Sequence, residues 1–420
     1  MKVLVIGNGG REHALCWKLK YDSRKPEIFC APGNAGTAQL GTNLSLSATD
    51  VSGIVEWAKQ NKPDLTVVGP EAPLCAGLVD ALEENGFRVF GPRKAAAELE
   101  GSKKFAKEIM QAAGVPTAAS AVFSDVEQAC AYVRERGAPI VVKADGLAAG
   151  KGVTVAETVE EAEAAIHDAL GGAFGDAGSR VVIEDFLRGE EASILALIDG
   201  EHVVMLASSQ DHKRAFDGDR GPNTGGMGAY SPAPVATDSV LQKVRTEVYD
   251  RTLAELKKRG ITYKGVLYAG LMIDNGQPSV VEFNCRFGDP ETQAVLARWD
   301  GDMIPALEAC IDGTLTEELI QWKPEHSVCV VMAAGGYPGD YEKGDEISGL
   351  DDAKTATVFH AGTALKDGKT VSAGGRVLGV TAIGADLRAA VGNAYAAVKN
   401  IAWKNSFYRN DIAHRALERK

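Results

Sequence analysis

Short β-branched runs alternate with stretches of helical periodicity along the first part of the chain. The run from Lys2 to Ile6 ends in a glycine turn, and apolar residues then recur at helical spacing from Arg11 to Lys20. The same order of apolar run, turn and helix returns up to the run FRVFGP, which ends at Pro92. Such alternation predicts a parallel sheet with helices on both of its faces, which is an α/β domain.

Beyond residue 102 the pattern changes to short strands that are separated by turn residues. The strands VTVA, VVIEDFL, EASILALID and HVVMLAS predict an antiparallel α+β region. Two longer strands, GVLYAGLMID and QPSVVEFNCRF, flank Asn275-Gly276, which is a strong hairpin signal. Another apolar strand, SVCVVMAAGG, begins after Trp322. We therefore expect a multidomain α/β and α+β protein divided into residues 1–102, 103–322 and 323–420, the last part being a small α+β domain.

A stretch rich in Asp, Gly and Pro extends from Asp211 to Pro234 and is predicted to be a long loop. Loops of this length inside compact enzymes are usually functional or disordered. Specific polar residues stand between its glycines, which favours function.

Composition narrows the classes of ligand. The 420 residues carry a formal net charge of −12, which argues against a nucleic-acid footprint and favours small substrates. The seven cysteines are odd in number and never spaced as C-x-x-C, so we expect reduced thiols. The first residues lack the pattern of a signal peptide, and no run reaches the roughly 18 apolar residues of a membrane span. We expect a cytoplasmic protein.

The glycine turn after the first strand reads Gly7-Asn8-Gly9-Gly10-Arg11-Glu12. It lacks the third glycine of the dinucleotide fingerprint G-x-G-x-x-G, and the second strand does not end in an acidic residue. Backbone amides at the start of a helix can still bind one phosphate group. A phosphorylated substrate is therefore one interpretation, and a tight turn needed only for packing is the other.

The segment PIVVKADGLAAGKGV combines lysines with a glycine-rich loop. Lys143 ends the predicted strand, and Gly146, Gly150, Lys151 and Gly152 follow. Backbone amides of such a loop can close over phosphate oxygens while the lysines supply charge. The sequence is not a Walker A loop, so we expect a mobile cover; a solvated turn is the alternative.

Two further strand ends carry oxygen ligands. Glu184 and Glu191 lie at and after the end of VVIEDFL, where they can accept hydrogen bonds from adenine and ribose or simply form an exposed strand end. Glu282, Asn284 and Arg286 alternate by two, which directs them to one face of a strand. An acid and an amide there suit Mg²⁺ that bridges nucleotide phosphates, and the guanidinium suits a transferring phosphoryl group. A salt-bridged strand face is the alternative.

The stretches VLVIGNGGREHAL, VVGPEAPL, GSKKFAK, VVKADGLAAGKGV, SSQDHKR, GPNTGGMGAYSPAP and EFNCRFGDPETQ resemble, in this order, those of ATP-grasp enzymes of the phosphoribosylamine–glycine ligase family. The resemblance covers nearly the whole chain. It implies a Rossmann-like N-terminal domain, an ATP-grasp region with a smaller lid subdomain at about 118–190, and a small C-terminal domain. It also implies ATP-dependent ligation of glycine to 5-phosphoribosylamine through glycyl phosphate, giving glycinamide ribonucleotide, ADP and phosphate in de novo purine biosynthesis. The implied metal is Mg²⁺ or Mn²⁺. The implied partners are these small molecules, without nucleic acid or membrane, for a monomer or weak dimer.

The resemblance also assigns roles to individual residues. The ATP-binding residues would be Lys103, Lys143, Gly150, Lys151, Gly152, Glu184, Phe186 and Glu191. The metal ligands would be Glu282 and Asn284. The residues that bind glycine or the sugar substrate would be Asn8, Gly9, Gly10, Glu71, Asp211, Thr224, Gly225, Gly226 and Met227. The catalytic residues would be Lys213, Arg286 and Asp289. The sequence departs from the wider superfamily at Gly270, where many ATP-grasp enzymes carry a further acidic ligand, so a second metal ion would be held less well or partly by water and phosphate.

Three rival functions stay open at this stage. A sibling ligase would use formate or bicarbonate, which GPNTGGMGAYSPAP argues against because it resembles the glycine-using family. A nucleotide-binding regulatory protein would not need a phosphoryl-transfer charge set. An NAD oxidoreductase is weakened by the broken glycine fingerprint.

Overall fold

The computed structural model describes residues 1–146, 152–173 and 175–419. Within these ranges the chain forms α/β and α+β regions, as the sequence predicts.

The N-terminal region is built around a parallel sheet. Its elements are β1 (Lys2–Gly7), α1 (Gly10–Lys20), β2 (Glu27–Pro32), α2 (Thr37–Leu40), β3 (Thr42–Asn43), α3 (Val51–Asn61), β4 (Leu65–Val68), α4 (Glu71–Cys75), α5 (Leu78–Glu84), β5 (Val89–Phe90) and α6 (Lys94–Gly101). The strand order is β3-β2-β1-β4-β5, and β1 pairs in parallel with both β2 and β4. The order reverses at β1, so the glycine turn at its carboxyl end lies where open α/β sheets bind ligands. The predicted parallel sheet is confirmed.

The central region contains two antiparallel sheets. Its first elements are α7 (Lys103–Ala113), β6 (Ser120–Phe123), α8 (Val126–Arg136), β7 (Ile140–Ala144), β8 (Val153–Ala156), α9 (Val159–Asp168), β9 (Val181–Asp185), β10 (Glu190–Asp199), β11 (Val203–Met205), β12 (Gln210–Asp211), β13 (Arg214–Phe216), β14 (Arg220–Asn223) and β15 (Gly228–Ser231). Those that follow are α10 (Asp238–Lys243), a π-helical stretch Val244–Tyr249, α11 (Asp250–Lys258), β16 (Lys264–Asp274), β17 (Gln277–Asn284), α12 (Glu291–Arg298), β18 (Trp299–Asp300), α13 (Ile304–Asp312) and β19 (Gln321–Trp322).

One sheet has the order β6-β9-β7-β8 and the other β11-β10-β16-β17. Asn275 and Gly276 join β16 to β17 with φ values of 50° and 74°. Positive φ at both central residues is the requirement of a type I′ turn, which explains why Asn-Gly predicted this hairpin correctly.

The expectation of a long loop from Asp211 to Pro234 was wrong. This stretch contains the β13–β14 hairpin and the strand β15, which pairs with a strand about 100 residues further along the chain. Tyr230 and Ala229 are fully buried there. The many glycines and prolines of this stretch are typical of loops. The strand β15 forms in spite of them because it pairs with β20, which is distant in the sequence.

The C-terminal region completes the sheet that β12 and β15 enter. Its elements are β20 (His326–Ala333), β21 (Thr357–His360), β22 (Thr363–Lys366), β23 (Lys369–Ser372), β24 (Arg376–Gly384), α14 (Leu387–Val398) and α15 (His414–Glu418). The five strands follow the order β12-β15-β20-β24-β21, and α14 packs on β24 and β20. All seven cysteines are free. None of the described helices combines the length and the apolar character needed to cross a bilayer.

Candidate active site

A buried charge cluster joins the two sheets of the central region. Glu184 on β9 lies opposite Val141 on β7, so its side chain shares a sheet face with that of Lys143. The Lys143 Nζ lies 3.0 Å from Glu184 Oε1 and donates to the Val281 carbonyl at 3.0 Å. The second oxygen of Glu184 lies 3.2 Å from the Nζ of Lys107, a buried lysine on α7. Both carboxylate oxygens of Glu184 therefore already face ammonium groups.

The first turn of α7 positions another lysine beside this cluster. Ser102 caps the helix by accepting from Phe105 N, and the Asp145 carboxylate accepts from both Ser102 Oγ and Lys104 N. These hydrogen bonds connect the start of α7 to Asp145, the residue after β7. Lys103, the first residue of the helix, then directs its Nζ to the Gly146 carbonyl at 3.2 Å. Burial lowers the pKa of Lys103.

Glu282 and Asn284 lie near the end of β17, next to a β-bulge. Glu282 pairs with Gly270 and Val280 with Leu271, so Val281 is the extra residue, and its carbonyl is the one that accepts from Lys143. Burial acts to raise the pKa of Glu282, but nearby cations outweigh it and lower the pKa. These cations are Lys213, Lys143, Lys103 and Arg286. A Cβ placed on Gly270 would lie 3.4 Å from Glu282 Cγ, so a second acid at this position would stand beside Glu282.

Arg286 lies two residues beyond the end of β17 and is held by three side chains. Its guanidinium is 3.2 Å from Glu71 Oε2 and 2.9 Å from Glu100 Oε1, and it donates to Asn284 Oδ1 at 3.1 Å. Burial acts to lower the pKa of Arg286, but the two carboxylates raise it well above its usual value. Arg286 thus stays charged, and it orients the amide of Asn284.

Lys213 links the predicted ribose-binding acid to the segment before β13. Its Nζ lies 2.7 Å from Glu191 Oε2, and this ammonium lowers the pKa of Glu191. Burial raises the pKa of neighbouring Asp211 to about 7, with Lys213 opposing the shift and Glu291 adding to it. Thr224 donates to the Lys213 carbonyl through both its amide, at 2.8 Å, and its hydroxyl, at 2.9 Å. The glycines that follow Thr224 are therefore anchored to the same end of the site.

Asp289 connects these parts to the glycine turn of the N-terminal region. Its Oδ2 accepts from Arg11 N at 3.0 Å, and its Oδ1 accepts from Gln293 Nε2 at 3.1 Å. Burial acts to raise the pKa of Asp289, but the guanidinium groups of Arg376 and Arg11 lower it. Asp289 therefore stays ionised at the start of α1, where a negative charge is favourable.

The glycine turn itself is held by side chains of the protein. The Gly9 amide donates to Glu12 Oε2 at 2.6 Å, and Asn34 donates to the Asn8 carbonyl at 2.9 Å. A Cβ on Gly10 would lie 2.5 Å from Gln293 Nε2, so a side chain at this position would displace the amide that donates to Asp289. Asn8 is exposed beside this turn. The phosphate-binding roles of Asn8, Gly9 and Gly10 stay predictions.

Comparison with known proteins shows the family of the chain. Residues 1–100 match the family described as "Phosphoribosylglycinamide synthetase, N domain", residues 101–292 its ATP-grasp (A) domain and residues 327–415 its C domain. The phosphoribosylamine–glycine ligase of Salmonella typhimurium is 54% identical over 427 aligned positions, which cover 100% of both chains. The enzyme of the same name from Escherichia coli O157:H7 is 55% identical, also over 100% of both chains. The chain belongs to the phosphoribosylamine–glycine ligase family.

Solved structures agree with this membership. The crystal structure of phosphoribosylamine–glycine ligase from Thermotoga maritima has a TM-score of 0.86 and 36% identity, covering 98% of this chain and 100% of that one. A biotin carboxylase from Campylobacter jejuni has a TM-score of 0.74 at 17% identity, covering 100% of this chain and 95% of that one. The second likeness shows the fold alone. The family's ATP-grasp fold, which the sequence predicted, is confirmed.

The other predicted site residues differ in how far they are exposed. Phe186 is 37% exposed on the connection between β9 and β10, whereas Met227 is fully buried. Gly152 is buried, and its carbonyl accepts from Ala144 N. Gly150 and Lys151 lie outside the described residues.

Sequence reasoning missed several members of the site. They are Lys107 and Glu100, which pair with Glu184 and Arg286, Arg376, which faces Asp289, and Tyr337, whose hydroxyl accepts from the Gly225 amide at 3.2 Å. Lys107 had a signal, because it falls on the face of α7 that also carries Ala106 and Met110, where an apolar residue is expected. Arg376 and Tyr337 had none, since their partners lie far away in the sequence.

Proposed function

We propose that the protein catalyses the ATP-dependent ligation of glycine to 5-phosphoribosylamine, giving glycinamide ribonucleotide, ADP and phosphate in de novo purine biosynthesis. The observation that carries the proposal is the match to the family along the whole chain, with 54% identity to a phosphoribosylamine–glycine ligase over 100% of both chains. The four cationic side chains that lower the pKa of Glu282 agree with it. Phosphoryl transfer requires little covalent help from a protein and depends on positioning and charge neutralisation. A cluster of fixed cations around one carboxylate suits this chemistry, and the family membership names the substrates.

The nucleotide would lie between the two sheets of the central region. Lys103 and Lys143 would bind its phosphates, together with Lys151, Gly150 and Gly152. Glu184, Phe186 and Glu191 would surround adenine and ribose. The pairing of Glu184 with two lysines supports a role in fixing Lys143, and accepting from the adenine amino group would require one of its oxygens to take a further hydrogen bond.

Glu282 and Asn284 would hold Mg²⁺ or Mn²⁺. Among the described residues there is no group of three or more His, Cys, Asp or Glu side chains that could hold a metal ion. Two protein oxygen ligands nevertheless fit Mg²⁺, which usually keeps several waters and binds through one or two protein groups together with substrate phosphates. When bound, the ion would neutralise phosphate charge.

Glycine and the sugar substrate would occupy the side of the cleft formed by the glycine turn and the segment Asp211 to Met227. The glycine carboxylate would attack the γ-phosphate, forming glycyl phosphate and releasing ADP. The amine of phosphoribosylamine would then attack the glycyl carbonyl carbon and displace phosphate. Arg286 and Lys213 would stabilise the charges on the transferring group, and Asp289 would orient the sugar substrate at the start of α1. Further hydrogen bonds to glycine or to the sugar substrate would come from Glu71, Thr224, Gly225 and Gly226.

We also propose domain limits near residues 102 and 322, a cytoplasmic location and a monomeric or weakly dimeric state. The change from parallel to antiparallel sheets after α6 supports the first limit. The second limit divides the sequence within one structural unit. The strands β12 and β15, which come before this limit, belong to the same five-stranded sheet as the C-terminal strands β20, β24 and β21.

The deciding experiment measures ADP release with ATP, Mg²⁺, glycine and freshly generated phosphoribosylamine. Controls omit each component or replace glycine with formate or bicarbonate. We expect turnover only with glycine and the phosphorylated amine together, with glycinamide ribonucleotide as product. Turnover with formate or bicarbonate instead would identify a sibling ligase, and ATP binding without turnover would favour a regulatory protein.

A further inference from the structure

Arg376, the first residue of β24, reaches from the C-terminal region into the candidate active site. Its NH1 donates to the Gly225 carbonyl at 2.5 Å and to the Asp289 carbonyl at 2.7 Å. Its NH2 lies 3.5 Å from Asp289 Oδ1. One guanidinium therefore contacts both the glycine segment predicted to meet substrate and the acid at the start of α1.

Tyr337, which follows β20, contacts the same peptide segment from its other side. The Gly225 amide donates to the Tyr337 hydroxyl at 3.2 Å. The amide and the carbonyl of Gly225 are thus both engaged by side chains of the C-terminal region. Since this residue has no side chain of its own, these two contacts define where its backbone lies.

Gly225 and Gly226 leave no room for a side chain. A Cβ on Gly225 would lie 2.9 Å from the guanidinium carbon of Arg376. Gly226 has a φ of +111°, and a Cβ there would lie 2.6 Å from Pro290 Cδ. Position and conformation of the segment therefore depend on the contacts around it rather than on its own side chains.

Asp289 extends this connection to the N-terminal region, because its carboxylate accepts from Arg11 N at 3.0 Å. Arg376 is accordingly the one described side chain that contacts both Gly225 and Asp289.

We propose that Arg376, assisted by Tyr337, is a positioning residue for the pocket of glycine and phosphoribosylamine and has little influence on the nucleotide. The inference rests on the proposed function. Arg376 fixes the positions of Gly225, Gly226 and Asp289 relative to each other, so that the C-terminal region completes the substrate pocket. A lysine would replace it only in part, because a single ammonium nitrogen could take over the contacts of NH1 but not also that of NH2 with the Asp289 carboxylate.

The test compares Arg376→Ala, Arg376→Lys, Tyr337→Phe and the control Arg388→Ala, which removes an exposed arginine on α14. Steady-state kinetics are measured with each substrate varied, and thermal unfolding of every variant is recorded. Arg376→Ala should raise KM for glycine and phosphoribosylamine about ten-fold or more, because charge-assisted hydrogen bonds to the pocket backbone are lost. KM for ATP should stay within about two-fold. Arg376→Lys should recover only part of the loss, and added guanidinium ion should partly restore Arg376→Ala but not change the control.

Tyr337→Phe keeps the ring and removes one hydroxyl, so it decides the question even if Arg376→Ala fails to fold. It should raise the same two KM values by about two- to five-fold. Unchanged KM values for glycine and phosphoribosylamine, or an equal rise in KM for ATP, would overturn the inference while an active wild type leaves the proposed function intact. A wild-type chain without glycine-dependent turnover would instead overturn the proposed function and the inference with it.

Discussion

Replacing Lys107 with methionine removes one of the two ammonium groups that face Glu184, while keeping a side chain of similar length on α7. The Lys107 Nζ lies 3.2 Å from Glu184 Oε2 and donates to Thr117 Oγ1 at 2.8 Å. At this separation and an effective dielectric constant of about 20, the pair attraction is roughly 5 kcal/mol. Desolvation of a buried ammonium cancels much of this, and Lys143 remains to pair with Glu184. We therefore expect a net loss of about 2 kcal/mol in the free energy of unfolding.

A loss of this size lowers the melting temperature by roughly 4–8 °C for a unit of about 200 residues. Nucleotide affinity should fall as well, because Lys143 would then be the only ammonium paired with Glu184 and would be drawn from the phosphates. We expect MgATP to bind about three- to ten-fold more weakly, as measured by calorimetric titration.

The matched control is Lys104→Met on the same helix, where the side chain is 41% exposed and its Nζ lies 3.7 Å from Glu108. Exposed pairs of this kind contribute about 0–1 kcal/mol, so the control should unfold and bind nearly as the wild type does. If Lys107→Met and Lys104→Met gave the same melting temperature and the same nucleotide affinity, the role assigned to Lys107 would be refuted.

Three further predictions address the metal, the phosphates and the titration of a buried acid. Glu282→Ala should lower turnover by about a hundred-fold or more while the chain still folds, and a near wild-type rate would remove the metal assignment. Lys143→Ala should raise KM for ATP and lower kcat, and unchanged values of both would count against its phosphate contact. Folded Asp211 keeps its proton up to about pH 7, whereas the unfolded carboxyl loses it near 3.9, so the free energy of unfolding falls as pH rises between these values. Asp211→Asn should flatten this fall in melting temperature between about pH 4 and 7, and an unchanged slope would contradict the raised pKa.

The parts of the fold that could be predicted from sequence are those whose signals are local. The β16–β17 hairpin follows from Asn275-Gly276, since this dipeptide favours positive φ at both turn positions. The strand β15 could not be predicted, because Gly228 pairs with Val330 and nothing near either residue specifies that register.

The candidate site shows the same division. Glu282 and Asn284 could be identified because alternation along one strand places them on one face. The third member of that pattern, Arg286, lies beyond the strand, and its partner Glu100 comes from α6, about 190 positions earlier. Contacts between distant segments of this kind depend on the assembled fold, so the sequence alone could propose site residues but not show how their side chains are held.

The shared sheet has a practical consequence for attempts to divide the chain into separately produced pieces. A fragment that begins at residue 323 would contain β20, β24 and β21 but not β15, which pairs with β20 along Gly228–Ser231. The backbone groups of β20 on that side would then form a free edge next to buried apolar residues such as Val328 and Val330. Unprotected edges of this type favour aggregation between chains. A soluble C-terminal piece would therefore require the segment from Gln210 to Ser231 to be joined to it by a designed connection.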